Sequence, residues 1–241
     1  MANALAMAQP LVGLDADDTL WQNLSFYRLT EDRFRDLLVD YAAPERLGEA
    51  LLAAERRNLK QYGFGIKGFT LSMIETAVEV TEGKAPGAVI AKILQAGREM
   101  LDHPVDLLPH ARETLEALQG RCRLALITKG DLFDQERKIA ASGLAELFDV
   151  VEIVSDKNVG AYDRIFRRHG AGASAVAMVG NSLKSDVVPA IEAGAYGVFV
   201  PHEIEWELEY DEEPGEQSRY RRIAHLGELV STLESLGVLT G

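Results

Sequence analysis

The chain carries a series of short apolar runs, each about as long as a β-strand. They lie at Leu11–Leu14, Leu124–Ile127, Val150–Val154, Ala175–Val179 and Gly197–Val200. Several are rich in β-branched residues and show little apolar–polar alternation, as strands covered on both faces do. Helix-like stretches separate the later runs, at Ala111–Leu118, Phe133–Ser142, Tyr162–His169 and Ser185–Ala193, with Gly143, Gly170 and Gly194 where those helices should stop. Strand–helix–strand units close through right-handed crossovers, so the predicted fold is α/β, a parallel sheet between layers of helices.

The stretch after the first run has a different period. From about Trp21 to Pro104 no strand pattern occurs, and apolar residues recur at helical spacing. Phe34, Leu37, Leu38 and Tyr41 share one predicted face, Leu71, Ile74 and Val78 another, and Ile90, Ile93 and Leu94 a third. The expected organisation is a core of residues 1–20 and 105–241 with a helical insertion at 21–104. A length of 241 residues suits one large domain carrying such an insertion.

Composition excludes several classes. The 47% hydrophobic share argues against disorder, and the formal charge of −13 argues against a nucleic-acid partner. Cys122 stands alone, which rules out an internal disulfide and a cysteine-rich zinc site. No stretch reaches the ~20 apolar residues of a membrane helix, so no membrane partner is expected. MANALAMAQP lacks the basic region and apolar core of a signal peptide, and a cytoplasmic address is expected. The five histidines show no metal-ligand spacing; only His202, after the last strand, stands where it could border a pocket. Glu203–Glu216 holds eight acids and no Lys or Arg, and its period-two alternation suits an exposed strand or extended loop as well as a helix.

The chemistry-bearing residues follow the strands. The first strand runs into Asp15-Ala16-Asp17-Asp18-Thr19. Residues two apart on an extended chain point the same way, so Asp15 and Asp17 face one pocket at the carboxyl edge, where α/β sheets bind ligands. Crowded acids repel one another unless a cation is present, and an all-oxygen set suits Mg²⁺. A turn with solvated acids is the plain alternative. The second strand ends in Thr128-Lys129-Gly130, a hydroxyl and backbone N–H groups beside a glycine, which suits an oxyanion. Lys157 follows the third strand. The fourth ends in Gly180-Asn181-Ser182-Leu183-Lys184-Ser185-Asp186, where an ordinary helix cap is the alternative for Asp186. Each signal has a dull explanation, but four in order at successive strand ends do not share one.

This ordered set resembles the haloacid dehalogenase-like (HAD) hydrolase superfamily over Leu11–Thr19 and about Pro109–Pro201. The resemblance implies a Rossmann-like core, a C1-type helical cap at 21–104, and a Mg²⁺-dependent phosphatase acting on a small phosphorylated metabolite. It implies Asp15 as nucleophile, Asp17 as general acid and base, and Thr128 and Lys157 as holders of the phosphoryl oxygens, with Lys129 and Gly130 lining the phosphate. It implies Mg²⁺ among Asp15, Asp17, Asn181 and Asp186. Asn181 departs from the pattern, since many members carry an aspartate there; either Asn181 or Asp186 then takes the direct role. Trp21, Asn23, Phe26 and the turn Tyr62-Gly63-Phe64-Gly65 are candidates to face substrate, with core packing or turn geometry as the competing explanation. Gly63-Phe64-Gly65-Ile66-Lys67-Gly68 matches a dinucleotide fingerprint but follows a helical pattern rather than a strand, which argues against that use.

Four alternatives remain at this point, the last a purely structural role that would leave the clustered acids at a cost with no return. A 2-haloacid dehalogenase expels halide, which needs no proton, so Asp17 counts against it. A phosphomutase keeps both acids. A receiver-like phospho-acceptor module is shorter and has no cap.

Overall fold

The structure is a computed structural model and describes residues 9–170, 175–215 and 218–239. Residues 1–8 and Glu216 therefore lie outside the described residues, and with them most of the amino-terminal segment read above for a signal peptide. Two compact units form. Among the described residues, one comprises those of 9–22, 105–129 and 135–239; the other comprises residues 23–104 and 130–134.

The first unit is a six-stranded, all-parallel sheet in the order β3-β2-β1-β4-β5-β6. Its strands are β1 (Leu11–Leu14), β2 (Arg123–Lys129), β3 (Val150–Val154), β4 (Val176–Gly180), β5 (Tyr196–Phe199) and β6 (Tyr220–Arg222). Five match the apolar runs to within a residue or two. β6, Tyr-Arg-Arg, is an addition; a short edge strand carries no apolar run to betray it. Leu11, Ala125, Ile127 and Met178 pack on one face against Tyr162, Ile165 and Phe166. Val12, Leu14, Leu126 and Val179 pack on the other against Leu115, Leu118, Leu229 and Leu233. Burial on both sides explains why these strands read as continuous apolar runs.

The helices of the second unit are α1 (Leu24–Leu38), α2 (Pro44–Tyr62), α3 (Ile66–Val80) and α4 (Gly87–Leu101). α2 opens with proline in its first turn and closes at Gly63, whose φ of 72° lets its N–H reach Leu59 O. Its presence before Gly63 removes the strand that a dinucleotide loop requires. Phe34, Leu38, Leu47, Leu51, Phe69, Met73 and Ile93 form the core. Three predicted faces are corrected: Tyr41 lies beyond α1 and is exposed, and two others follow. α3 buries Phe69, Met73 and Ala77, while Leu71 and Val78 are exposed; on α4 Ile93 is buried and Leu94 exposed. α3 packs small Gly68, Ser72 and Thr76 on its buried side beside Phe69 and Met73, which leaves Leu71 and Val78 outside. Among the described residues no helix is long and apolar enough to cross a membrane.

The remaining helices are α5 (Ala111–Leu118), α6 (Leu132–Ser142), α7 (Val159–His169), α8 (Val188–Glu192) and α9 (Leu229–Ser235). Asn158 caps α7 by accepting from Ala161 N at 3.0 Å, and Arg167, Arg168 and His169 sit at its negative end. The helix predicted at Ser185–Ala193 is instead a π-helical turn, Leu183–Val187, running into α8.

Candidate active site

The site lies at the carboxyl ends of β1, β2, β3 and β4. Pairing of β1 with β4 extends one residue further, because Asp15 N donates to Val179 O at 2.9 Å. The chain then turns with Asp18 in the left-handed region at φ 60°, its N–H bonded to Trp21 O at 2.7 Å. Asp15 is thereby fixed at the end of a buried central strand.

Lys157, from the turn between β3 and α7, joins the strand ends. Its ammonium donates to Asp15 Oδ1 and to Asp186 Oδ1, the latter at 2.7 Å. Asp186 Oδ2 accepts from Ser182 N at 3.0 Å. Glycine at 180 permits this fold-back, since a Cβ there would stand 2.3 Å from Asp186 Oδ2. Thr19 Oγ1 donates to Asp15 Oδ2 at 3.0 Å and accepts from Asn181 N at 3.1 Å. Thr19 escaped the sequence reading although it sits inside the acidic motif.

Two carboxylates share one ammonium, so a surplus negative charge is buried. Burial foremost, and next the charge of Asp186, push the Asp15 carboxyl up to about 7, with Lys157 opposing. Burial disfavours the Lys157 ammonium, but its two carboxylate partners hold its pKa above the ordinary value.

Asp17 takes no part in that triad. Burial would raise its pKa, but Lys138 above all, with Gln135 and Trp21, overrides this and holds it below the ordinary range. Lys138 Nζ lies 2.6 and 2.7 Å from its two oxygens, Trp21 Nε1 2.7 Å from Oδ1 and Gln135 Nε2 2.8 Å from Oδ2. Trp21 is therefore not a rim residue: it is buried in the sheet unit and holds Asp17. Gln135 and Lys138 are separated by three positions on one face of α6. Nothing in the sequence pattern marked them, because long polar side chains on an amphipathic helix ordinarily face water.

The remaining candidates are distributed unevenly. Thr128 is buried near the end of β2, on the same edge as Asp15. The Lys129 ammonium is held by Glu209 at 2.6 Å and Ser185 Oγ at 2.7 Å. Glu209 also accepts from Ser182 Oγ at 2.9 Å and from Ser185 Oγ. The acidic segment is thus neither a strand nor a regular helix but a loop with one short turn, Glu207–Glu209, anchored by Glu209. Gly130, with φ 141°, belongs to the helical unit. His202 Nε2 lies 3.7 Å from Asp18 Oδ1.

A divalent cation is tested by the oxygen set around Asn181. One end of its side-chain amide stands 3.2 Å from Asp15 Oδ2, 3.2 Å from Asp17 O and 3.3 Å from Thr19 Oγ1. An NH₂ group there faces three acceptors; a hard cation would suit the same oxygens and the surplus charge. Asp186 spends its oxygens on Lys157 and Ser182 N, whereas the Asn181 amide stands against Asp15 and the Asp17 carbonyl. Among the described residues no three His, Cys, Asp or Glu side chains form a metal cluster, so a cation here relies on amide and backbone oxygens as well.

A parallel sheet with this constellation at its carboxyl edge, and with four helices inserted after β1, defines a hydrolase of the haloacid dehalogenase type. Residues 10–194 match the family model for haloacid dehalogenase-like hydrolases, and the chain belongs to that family. It is similar to a haloacid dehalogenase-like family hydrolase structure from Xanthomonas campestris, with 40% identity, a TM-score of 0.84 and coverage of 95% of this chain and 92% of that one. It is 24% identical over 201 residues to glyceraldehyde 3-phosphate phosphatase of Methanothermobacter thermautotrophicus, covering 80% of this chain and 86% of the relative. The fold is shared with Bacillus subtilis YfnB, solved bound to magnesium, at 16% identity, a TM-score of 0.64 and coverage of 94% and 99%.

Proposed function

We propose that this hydrolase is a Mg²⁺-dependent phosphatase that cleaves a small phosphomonoester through a phosphorylated Asp15. The observation that carries the reading is the buried Asp15–Lys157–Asp186 triad with a second acid, Asp17, two residues beyond Asp15. Thr19 and Lys157 orient the Asp15 carboxylate for attack on phosphorus. As the Asp15 O–P bond forms, the bond to the leaving oxygen breaks and that oxygen takes its proton from Asp17, which must first pick one up as a donor contact opens, because its donors keep the free carboxylate ionised. Asp17 then takes a proton from the water that attacks the same phosphorus, which frees phosphate and restores Asp15. Thr128, the backbone at 128–130 and Lys157 hold the phosphoryl oxygens; the Lys129 side chain, committed to Glu209, has a different task. Asp15, the Asp17 carbonyl and Asn181, with Asp186 behind them, would hold Mg²⁺, which when bound offsets the surplus charge and that of the phosphoryl group. The helical unit takes the role of cap and carries substrate selectivity.

Asp17 argues against the dehalogenase alternative, because departing halide needs no proton. The test is a panel of phosphorylated metabolites with Mg²⁺, with a 2-haloacid as control, plus intact mass of Asp17→Asn after exposure to p-nitrophenyl phosphate. Phosphate release and a trapped phosphoryl adduct support the proposal. Halide release without an adduct overturns it, and transfer of the phosphoryl group to a second sugar phosphate turns it toward a mutase.

A further inference from the structure

We infer that Lys138, together with Gln135, is a positioning residue for the reaction, acting on substrate only through Asp17. The inference rests on the reading of Asp17 as acid and base.

Asp17 receives four donor contacts, two from Lys138 and one each from Gln135 and Trp21. These contacts set both the place and the plane of the ionised carboxylate, and one of them must open when Asp17 takes up a proton. The Lys138 side chain is 9% exposed, and its ammonium is spent on a carboxylate that is not part of the Asp15 triad. Gln135 is buried and divides one amide between Asp17 Oδ2 and Lys129 O, which lies 3.0 Å away at the end of β2. That choice leaves Gln135 Oε1 buried without a partner among the described residues. Reversing the amide would satisfy nothing, since its oxygen would then face two acceptors.

Lys138 and Gln135 therefore tie Asp17 to α6 and to the β2 end while Asp15 is tied to Lys157. Two acids two residues apart are held by two separate cations. Losing Lys138 lets Asp17 leave its place and join the acids around Asp15, while the groups proposed to hold phosphate keep theirs.

The test is a double-mutant cycle on the full chain with Mg²⁺. Lys138→Met should lower kcat for an alkyl phosphate about tenfold or more, within the ~10²–10⁴-fold worth of an acid–base residue. The inhibition constant for inorganic phosphate should stay within about twofold, and p-nitrophenyl phosphate should suffer less, because its leaving group needs little protonation. Lys138→Arg should restore most of the rate. In an Asp17→Asn background, Lys138→Met should add no further loss. Gln135→Met should lower kcat in the same way at smaller amplitude and, because it also frees Lys129 O, it is read by the absence of further loss in an Asp17→Asn background, which carries the test if Lys138→Met does not fold. Additive losses in the double variant, or a matching loss of phosphate binding, overturn the inference. So does wild-type kcat in Lys138→Met while Asp17→Asn is inactive. If Asp17→Asn keeps full turnover, the acid–base reading fails and the inference falls with it.

Discussion

Replacing Asp15 by asparagine should make the metal-free protein more stable, although it destroys the proposed nucleophile. The sign follows from the buried triad. Asp15 titrates near 3.8 ordinarily and at about 7 in the folded chain, chiefly through burial and then through Asp186. Below about pH 4 both states hold the proton and there is no cost. Between about pH 4 and 7 the unfolded chain releases it while the folded chain retains it, so stability falls as pH rises. Above about pH 7 the whole cost is present, at most about 4 kcal/mol at ~1.36 kcal/mol per pKa unit. An asparagine side chain cannot ionise, so the variant escapes this cost. Thermal unfolding with excess chelator should show Asp15→Asn above wild type by a margin that widens from pH 4 to 7 and then levels. At roughly 2–4 °C per kcal/mol for a chain of this size, several degrees are expected. Adding Mg²⁺ should raise the wild type more than the variant. A wild type that stays more stable than Asp15→Asn at pH 7.5 without metal, or a margin independent of pH, would refute the charge argument.

Glu209→Ala should strand the Lys129 ammonium and cost about 1–3 kcal/mol in denaturant unfolding, and Lys129→Met in the same chain should recover much of it; simple additivity would mean that the pair does not interact. In the helical unit, a Cβ at Gly97 would stand 2.3 Å from Thr70 Oγ1, so Gly97→Ala should cost about 1–3 kcal/mol, and Thr70→Ala should relieve it, both read from Tm.

The sheet was legible because its strands are buried on two faces: Leu11–Leu14 and Val150–Val154 announce themselves as unbroken apolar runs. The site's main constellation was legible because ligand-binding residues follow strand ends, which placed Asp15, Lys157, Asn181 and Asp186 in one neighbourhood. Contacts made by long side chains were not. Lys138 and Gln135 look like solvent-facing helix residues, Glu209 looks like one charge in an acidic run, and nothing in the sequence joins Glu209 to Lys129. Trp21 was misplaced for a related reason: an aromatic beside a predicted boundary belongs to whichever unit buries it, and only its bond to Asp17 decides.

Strand β1 has no local partner. Its register joins Leu11 to Arg123 on one side and to Val176 on the other. During synthesis, Leu11–Leu14 must therefore wait unpaired while α1–α4 are made and can collapse around Phe69 and Met73. An apolar strand waiting beside other nascent copies is a hazard for edge-to-edge association. The residues that follow it are Asp15, Asp17 and Asp18, negative in the unfolded chain at neutral pH, and like charges flanking a sticky segment keep copies apart. Two of these acids, Asp15 and Asp17, are the ones proposed for the reaction centre, so the charges proposed for catalysis would also guard the strand that carries them until the sheet closes on both sides.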